Sequence, residues 1–303
     1  MKLGVGLPMT GAWATPESMR EVATRAESLG YASLWTYQRL LNPVGEEWGS
    51  PYHSVLDPVV ALSYVAAATS SVRLGLAIVN MPYYAPIVLA KALTTLDRVS
   101  AGRLDVGLGL GWAPPEFEAV GVPYERRGAR GEEFIACLRA IWTEPEVEFA
   151  GEFYRVPRSR VEPKPVQRPT PPVLLGGTAD VALRRAGRIA DGWISSSRAD
   201  LTRMGESIDV VRSAATEAGR DPAGLRFVVR GVVRLTGEPG PGDRRPLQGD
   251  ATQVRADLAA LEKAGATEVF LDLNYDERST GDHVEAEAGL ANALRTITAL
   301  APA

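Results

Sequence analysis

The sequence predicts an α/β protein with one (β/α)8 barrel, the TIM-barrel fold, over residues 1–303. Segments with strand and helix patterns alternate along the chain in roughly eight pairs, which is the count of this barrel. The length of 303 residues is enough for one barrel with insertions. Residues 72–112 have the pattern of a strand, a helix and a second strand. Such a unit requires parallel pairing with a right-handed crossover, so we expect a parallel sheet.

The first half of the chain shows the alternation clearly. Apolar segments predict strands at residues 2–7, 32–36, 72–79 and 103–108. Helices are expected at residues 15–29, 56–70, 85–99 and 125–142. The first helix has recognisable ends, with Thr15 as N-cap, Pro16 at the first helical position and Gly30 beyond the last turn.

The second half resumes the alternation after an interruption. Strands are expected at residues 173–175, 192–195, 225–235 and 268–273, and helices at 179–189, 201–218, 251–264 and about 284–300. Two irregular segments rich in proline or glycine, about 146–171 and 236–250, lie between these elements. The first contains two short apolar runs around Gly151, as in a β-hairpin. Because it cannot bury its own core, we interpret it as an insertion in a single domain.

Composition argues against several classes of function. The formal net charge of −4 gives no basic field for nucleic acid. Cys137 is the only cysteine, which excludes an internal disulfide and a cysteine-cluster metal site. His53 and His283 have no partner at metal-ligand spacing, so we expect no metal. Neither a secretory signal nor a membrane-length apolar run is visible, so we expect a cytoplasmic protein without nucleic-acid or membrane partners.

Two glycine-containing turns follow predicted strands. Gly107, Gly109 and Gly111 end the strand at 103–108, but they do not form the dinucleotide fingerprint. Glycine lets a backbone approach a flat ring or a phosphate closely, and it also suits a tight turn needed only for packing. Gly176 and Gly177 precede a predicted helix, whose N-terminal N–H groups attract anions. Ser195, Ser196, Ser197 and Arg198 lie at the end of the next strand and offer three hydroxyls and a guanidinium to a phosphate. The two segments together therefore predict a phosphate site, with a solvated serine loop as the alternative.

The order of motifs resembles the luciferase-like monooxygenase superfamily, on its branch that uses the deazaflavin coenzyme F420. The likeness is carried by the stretches SLWTYQRL (33–40), VRLGLAIV (72–79), LAKALTTLDRVSAGRLDVGLGLGW (89–112), FEAVGVPYERRGARGEEFI (117–135) and PPVLLGGTADVALRRAGRIADGWI (171–194). They span most of the first two-thirds of the chain in the family's order. The resemblance implies a (β/α)8 barrel, as in bacterial luciferase, with a cofactor at its carboxyl-terminal rim.

The resemblance also implies which residues bind the cofactor, coenzyme F420 or alternatively FMN. The third strand is expected to have a non-prolyl cis peptide bond between Ala77 and Ile78, in a bulge that presses against the ring. The glycine-rich turn would lie beside the ring, and the later diglycine turn would hold the phosphate. The implied cofactor-binding set is Ala77, Ile78, Asn80, Gly109, Gly111, Trp112, Gly176, Gly177, Thr178, Ser196 and Arg198.

Candidate catalytic residues follow the second strand. Many F420-dependent relatives have an Asp-His pair where this chain has Gln38 and Arg39. Glutamine does not titrate and arginine stays charged, so this pair does not shuttle a proton. Arg39 is expected to polarise a carbonyl, hold an anionic substrate, pair with the cofactor, or form a structural ion pair. Tyr37 is a candidate proton donor, and His53 is a weaker candidate acid because a lone loop histidine is usually a surface residue.

The resemblance implies an F420-dependent oxidoreductase that transfers a hydride between the deazaflavin and a small organic substrate. That substrate would be an alcohol, a carbonyl compound or an activated alkene. One alternative is an FMN-dependent monooxygenase that receives reduced flavin from a partner reductase and uses oxygen. Another is a non-catalytic flavin-binding barrel. Analogy with the family also implies a homodimer.

Overall fold

The computed structural model describes residues 1–281 and 283–302. Eight parallel strands form a closed ring, which confirms the predicted barrel. The strands are β1 (Lys2–Gly6), β2 (Ser33–Thr36), β3 (Arg73–Leu76, resuming as Val79–Asn80), β4 (Leu104–Gly109), β5 (Val173–Gly176), β6 (Gly192–Ile194), β7 (Arg226–Val232) and β8 (Glu268–Asp272). The ring closes where β1 pairs with β8, with Lys2 opposite Glu268.

Eight longer helices follow the strands and pack around the ring. They are α1 (Pro16–Ser28), α2 (Pro58–Ala66), α3 (Pro86–Val99), α4 (Arg127–Thr143), α5 (Asp180–Ile189), α6 (Met204–Glu217), α7 (Ala251–Lys263) and α8 (Ala286–Ala299). The predicted cap of α1 is confirmed, since the Thr15 hydroxyl accepts a hydrogen bond from the Ser18 N–H at 3.1 Å. Within the described ranges, no helix has the length and apolar character needed to cross a membrane.

Several predicted boundaries are wrong, and local hydrogen bonding explains the clearest case. The helix expected at 56–70 begins at Pro58 because the Asp57 carboxylate caps it, accepting from the N–H groups of Val59 and Val60 at 2.9 Å. The strand expected at 225–235 stops at Val232, and the following pair of residues, Arg234–Leu235, bonds instead to Gln248–Gly249 in the second irregular segment.

The third strand is interrupted at the expected position. The peptide bond between Ala77 and Ile78 is cis, and regular pairing stops at Leu76 and resumes at Val79. This confirms the cis bond that the resemblance implies, and it replaces the predicted continuous strand at 72–79 with two shorter pieces.

The first irregular segment forms the predicted hairpin. Strands Val147–Ala150 and Arg155–Ser159 pair antiparallel around Gly151. The Glu133 carboxylate of α4 accepts hydrogen bonds from the backbone N–H groups of Glu152, Phe153 and Tyr154 at 2.7–2.9 Å. The hairpin is therefore tied to the barrel through one buried side of α4.

The two ends of the barrel differ in chemistry. At the amino end, the fully buried Asp105 carboxylate accepts from the guanidinium groups of Arg73 and Arg226 at 2.5–3.0 Å. Arg226 also pairs with Glu268 at 3.1 Å. This end is closed by charged side chains that satisfy one another. The carboxyl end, in contrast, opens into cavities.

Candidate active site

A cavity of about 540 Å³ lies at the carboxyl ends of the strands. We call it the inner cavity. It brings together all the predicted site residues except His53 and Arg198, namely Tyr37, Gln38, Arg39, Ala77, Ile78, Asn80, Gly109, Gly111, Trp112, Gly176, Gly177, Thr178 and Ser196. Ser195, Ser197 and Arg230 line it as well, together with residues that were not singled out as candidates, Tyr52, Arg126, Arg127, Gly128, Arg185 and Tyr275 among them.

Ile78 of the cis bulge forms part of the cavity floor, between two glycines. A Cβ atom on Gly109 would lie 1.9 Å from Ile78 Cδ1, and one on Gly176 would lie 3.2 Å from Ile78 Cγ2. Any larger residue at 109 would push the isoleucine out of its position. These glycines thus make room for the bulge side chain, whereas the sequence suggested that Gly109 makes room for a ring and Gly176 for a phosphate.

Gly111 is required by local packing as well as by backbone conformation. Its φ is +74°, and a Cβ atom there would lie 2.7 Å from the Tyr83 hydroxyl oxygen and 2.9 Å from Phe117 Cε2. Side chains other than glycine are strained in this conformation. Tight packing within the turn therefore explains why position 111 is glycine, although Gly111 still lines the inner cavity.

One end of the inner cavity has the geometry of an anion site. The diglycine turn leads into α5, whose N-cap residue, Ala179, makes no side-chain capping bond. The first N–H groups of the helix are thus left for a ligand. Gly177 has φ +143°, and its carbonyl accepts from the Trp193 indole N–H at 2.8 Å, which fixes the turn.

Arginines surround the same end of the cavity. Arg185 pairs with Glu132 at 2.8 Å, and Arg126 pairs with Glu152. Arg127 lies 4.0 Å over the Tyr124 ring and takes part in no ion pair among the described residues. These side chains were missed as site residues, although Arg126 and Arg127 lie in a stretch that carries the family likeness.

Arg39 also lines the inner cavity. Its guanidinium pairs with the fully buried Glu116 at 3.4 Å and lies 4.7 Å from the centre of the Trp112 ring. Glu116 also accepts from the Leu40 N–H and the Tyr83 hydroxyl, each at 2.7 Å. One Arg39 nitrogen, Nη1, is buried and has no hydrogen-bond partner in the described part of the chain. Arg39 therefore forms a structural ion pair, and one of its N–H donor groups has no partner among the described residues.

Arg230 of β7 is, like Arg39, a buried arginine paired with a carboxylate. Its Nε donates to Asp272 at 2.6 Å and its Nη1 to the Ala77 carbonyl of the bulge at 3.4 Å. Burial opposes the charge, but Asp272 raises the pKa of Arg230 above its ordinary value, so the guanidinium stays charged. Its Nη2 is buried and unpartnered among residues 1–281 and 283–302. A second charged donor therefore faces the cavity beside the bulge.

Gln38 does not titrate, and its side-chain amide instead holds other parts of the site in position through hydrogen bonds. Its amide oxygen accepts from the Asn80 N–H at 2.8 Å, and its amide nitrogen donates to the Tyr84 hydroxyl at 2.6 Å. Both ends of the amide are therefore satisfied. Gln38 ties the end of β2 to the second piece of β3 and so positions the bulge.

Three tyrosines supply hydroxyl groups near Arg230. Tyr37 donates to the Pro51 carbonyl at 2.7 Å, and the Tyr275 and Tyr52 hydroxyl oxygens lie 2.8 Å apart. Burial raises the pKa of Tyr37 well above its ordinary value. Burial likewise raises the pKa of Tyr275, against the opposing effect of Arg230. Both groups therefore keep their protons at neutral pH.

Two predicted site residues lie elsewhere. His53 is exposed at the end of the short 3-10 helix Ser50–Tyr52 and is not among the lining residues of the inner cavity, so the structure gives no support to its role as an acid. Arg198 is exposed and lies 5.9 Å over the rings of Tyr52 and Trp112, outside the inner cavity. Arg198 lines a third cavity, of about 570 Å³, together with the predicted Thr178 and Ser196.

A second space of about 810 Å³, which we call the outer cavity, adjoins the inner one. The two share Tyr52, Ser197, Arg230 and Tyr275. Arg198 and Trp48 line the outer cavity. The carboxyl end of the barrel thus has room for two ligands that meet at Arg230.

Comparison with known proteins identifies relatives. The sequence profile described as luciferase-like monooxygenase matches residues 2–239. Protein Rv0953c of Mycobacterium tuberculosis, itself uncharacterised, is 36% identical over 211 residues, which are 66% of this chain and 74% of the relative. The FMNH2-dependent dimethylsulfone monooxygenase of Pseudomonas putida is 35% identical over 156 residues, which are 50% of this chain and 42% of the relative.

A solved structure has the same fold. An F420-dependent secondary alcohol dehydrogenase, in complex with an F420-acetone adduct, superposes with a TM-score of 0.77 at 18% identity. The superposition covers 99% of this chain and 98% of the other.

Proposed function

The chain belongs to the luciferase-like monooxygenase family, and from this premise we propose that it is an F420-dependent oxidoreductase. It would transfer a hydride between the deazaflavin and a small organic substrate held beside it. Members of the family are oxidoreductases or monooxygenases, and relatives with F420 and with FMN both occur. We propose the choice of F420, the substrate class and the roles of individual residues.

The inner cavity fits a three-ring cofactor with a phosphorylated tail. Its volume of about 540 Å³ is within the range of cofactor sites. The Ile78 side chain offers an apolar surface for the ring. Arg39 and Arg230 are buried, and each has one nitrogen without a partner among the described residues, for the polar edge of the ring or for the substrate. The uncapped start of α5 fits a phosphate.

The observation that carries the choice of F420 is the number of arginines at the phosphate end. Arg126, Arg127 and Arg185 line the inner cavity together with the diglycine turn, and Arg185 lies on α5, the helix that follows this turn. A single phosphate, as in FMN, is already matched by helix N–H groups and one guanidinium. The tail of F420 has further negative charges beyond its first phosphate, and Arg127, which takes part in no ion pair among the described residues, is free to meet them.

When bound, F420 supplies a hydride donor or acceptor at its C5 carbon. The protein would orient it and exclude water. An alcohol substrate releases a hydride from carbon and a proton from oxygen, and a carbonyl substrate takes up both. The hydrogen-bonded hydroxyls of Tyr52 and Tyr275 would relay that proton between the substrate oxygen and solvent, each accepting one proton as it donates another, and the Arg230 nitrogen without a partner among the described residues would polarise the substrate oxygen.

An FMN-dependent monooxygenase is the second candidate. It is favoured by the 35% identity with the FMNH2-dependent enzyme of P. putida, which exceeds the 18% identity with the F420-dependent structure. In this case a partner reductase would deliver reduced flavin. A homodimer and a cytoplasmic location remain predictions.

Equilibrium titration of the purified protein with F420 and with FMN tests the proposal. We expect F420 to bind at least tenfold more tightly than FMN, and reduced or oxidised F420 to turn over with a panel of alcohols, aldehydes and enones. Tight FMN binding without F420 binding would favour the monooxygenase. Binding of F420 without turnover of any panel member would favour a non-catalytic barrel.

A further inference from the structure

We propose that the outer cavity binds the organic substrate and that this substrate carries a carboxylate or a similar oxyanion. The inference rests on the proposed function, because it assigns the inner cavity to the cofactor. With that cavity filled, the outer cavity of about 810 Å³ and the third cavity of about 570 Å³ remain, and the outer one is large enough for a drug-sized molecule. Of the two, the outer cavity shares Arg230 with the inner cavity.

The charges around the outer cavity favour an anion. Arg198, Arg234 and Arg245 line it, and none of them takes part in an ion pair among the described residues. Of the lining carboxylates, Asp276 is fully buried and already bonded to Arg278 at 2.7 Å. The exposed Asp200 and Glu277 also line the cavity and offset two of the three cations. One positive charge is left over, and an incoming carboxylate would neutralise it.

The buried end of the outer cavity is a built polar site. Arg230 is only 7% exposed, and its Nη2 has no partner in the described part of the chain. A buried charged donor without an acceptor is costly, so an oxygen atom of the ligand is expected there. Trp48, Tyr52 and Tyr275 line the same cavity and provide apolar surface for the body of the substrate.

The proposed ligand therefore has two oxygen functions. Its reactive oxygen would accept from Arg230, near the bulge. Its acid group would lie toward the exposed arginines, with an apolar or aromatic body between them. The carboxylates of the F420 tail are a second source of negative charge for these arginines. The test distinguishes the tail from the acid group of the substrate.

Isothermal titration calorimetry with 2-naphthoate and the neutral 2-naphthamide tests this inference. Titrations use the protein alone and the protein saturated with whichever cofactor binds. We expect naphthoate to bind at least tenfold more tightly than naphthamide, with or without cofactor. In the double variant Arg234→Gln, Arg245→Gln, naphthoate should lose about tenfold in affinity, since each exposed ion pair contributes at most roughly fivefold. Naphthamide and the cofactor should change less than twofold.

The matched control is the double variant Arg20→Gln, Lys263→Gln, which removes two exposed cations on α1 and α7 and should leave all affinities unchanged. Equal affinity for naphthoate and naphthamide, or displacement of naphthoate by cofactor, would overturn the inference. The inference would also be overturned if the arginine variant lost affinity for F420 but kept its affinity for a deazaflavin without the glutamate tail. If neither F420 nor FMN binds while naphthoate still discriminates, the proposed function fails and the anion site stands.

Discussion

At the residue scale, the glycines that end β4 and β5 are explained by a neighbouring side chain. Gly109 and Gly176 flank Ile78, and the first tolerates no Cβ atom in the present arrangement. The sequence predicted that the glycine-rich turn belongs to the site. It could not predict that Ile78 is the side chain in contact, because that depends on the register between β3 and β4.

Gly109→Ala should therefore lower cofactor affinity at least tenfold, because the new methyl group drives Ile78 into the inner cavity. The second-site change Ile78→Val removes the Cδ1 atom that would lie 1.9 Å away, and it should restore most of the affinity. Cofactor titration of the single and double variants is the measurement. Gly224→Ala, at a position with open space around it, is the control, and an equal loss there would contradict the packing argument.

Arg39 has a structural role, and we propose that it also takes part in turnover. Arg39→Ala leaves the fully buried Glu116 without its cation, which should lower the free energy of unfolding by about 3 kcal/mol. Adding Glu116→Gln should recover part of that stability but none of the turnover. Urea unfolding and steady-state kinetics on both variants separate the roles. Recovery of turnover together with stability would make Arg39 purely structural.

At the element scale, one carboxylate fastens α1 to the start of β3. Glu27 accepts from the backbone N–H groups of Ser70, Ser71 and Val72 at 2.6–2.9 Å. Burial alone would raise its pKa, but these hydrogen bonds lower the pKa of Glu27 to about 2. Since the folded pKa lies below the ordinary value of 4.5, this stabilisation is present above about pH 4.5 and is lost as the pH falls toward 2.

Glu27→Gln should accordingly lower the free energy of unfolding by about 1–2 kcal/mol at pH 7, because bonds to a charged acceptor are replaced by bonds to a neutral one. The difference from the unmodified protein should shrink steadily below pH 4.5. Urea unfolding at pH 7, 5 and 3.5 measures it. Glu21→Gln, an exposed position on the same helix, is the control, and a difference that grows on acidification would refute the assignment.

The two ends of the barrel provide a second comparison between elements. Asp105 at the amino end and Asp272 at the carboxyl end are both fully buried and both paired with arginine. Asp105→Asn and Asp272→Asn should each cost about 3 kcal/mol of stability. Only Asp272→Asn should also weaken cofactor or substrate binding, because Arg230 faces the cavities. Urea unfolding and ligand titration of the two variants test this prediction. Equal losses of ligand affinity in both would contradict the idea that only the carboxyl end takes part in binding.

At the scale of the whole molecule, the barrel was predictable because strand and helix periods alternate along the chain. The carboxyl-end location of the site followed from that topology. The residues that were missed depend on tertiary contact. Arg185 reaches the cavity from α5 by pairing with Glu132 of α4, and Tyr275 meets Tyr52 across more than two hundred residues. Neither local pattern nor spacing carries such a signal. His53, selected by residue type alone, lies outside the inner cavity.

The central claim is that the inner cavity holds a three-ring redox cofactor between the bulge of β3 and the start of α5. A crystal structure of the protein soaked with F420 tests it most directly. The account predicts the deazaflavin ring in contact with Ile78 and its phosphate within hydrogen-bond distance of the N–H groups at Gly177 and Thr178. Electron density for the cofactor in the outer cavity, or an inner cavity that stays empty at saturating F420, would contradict it.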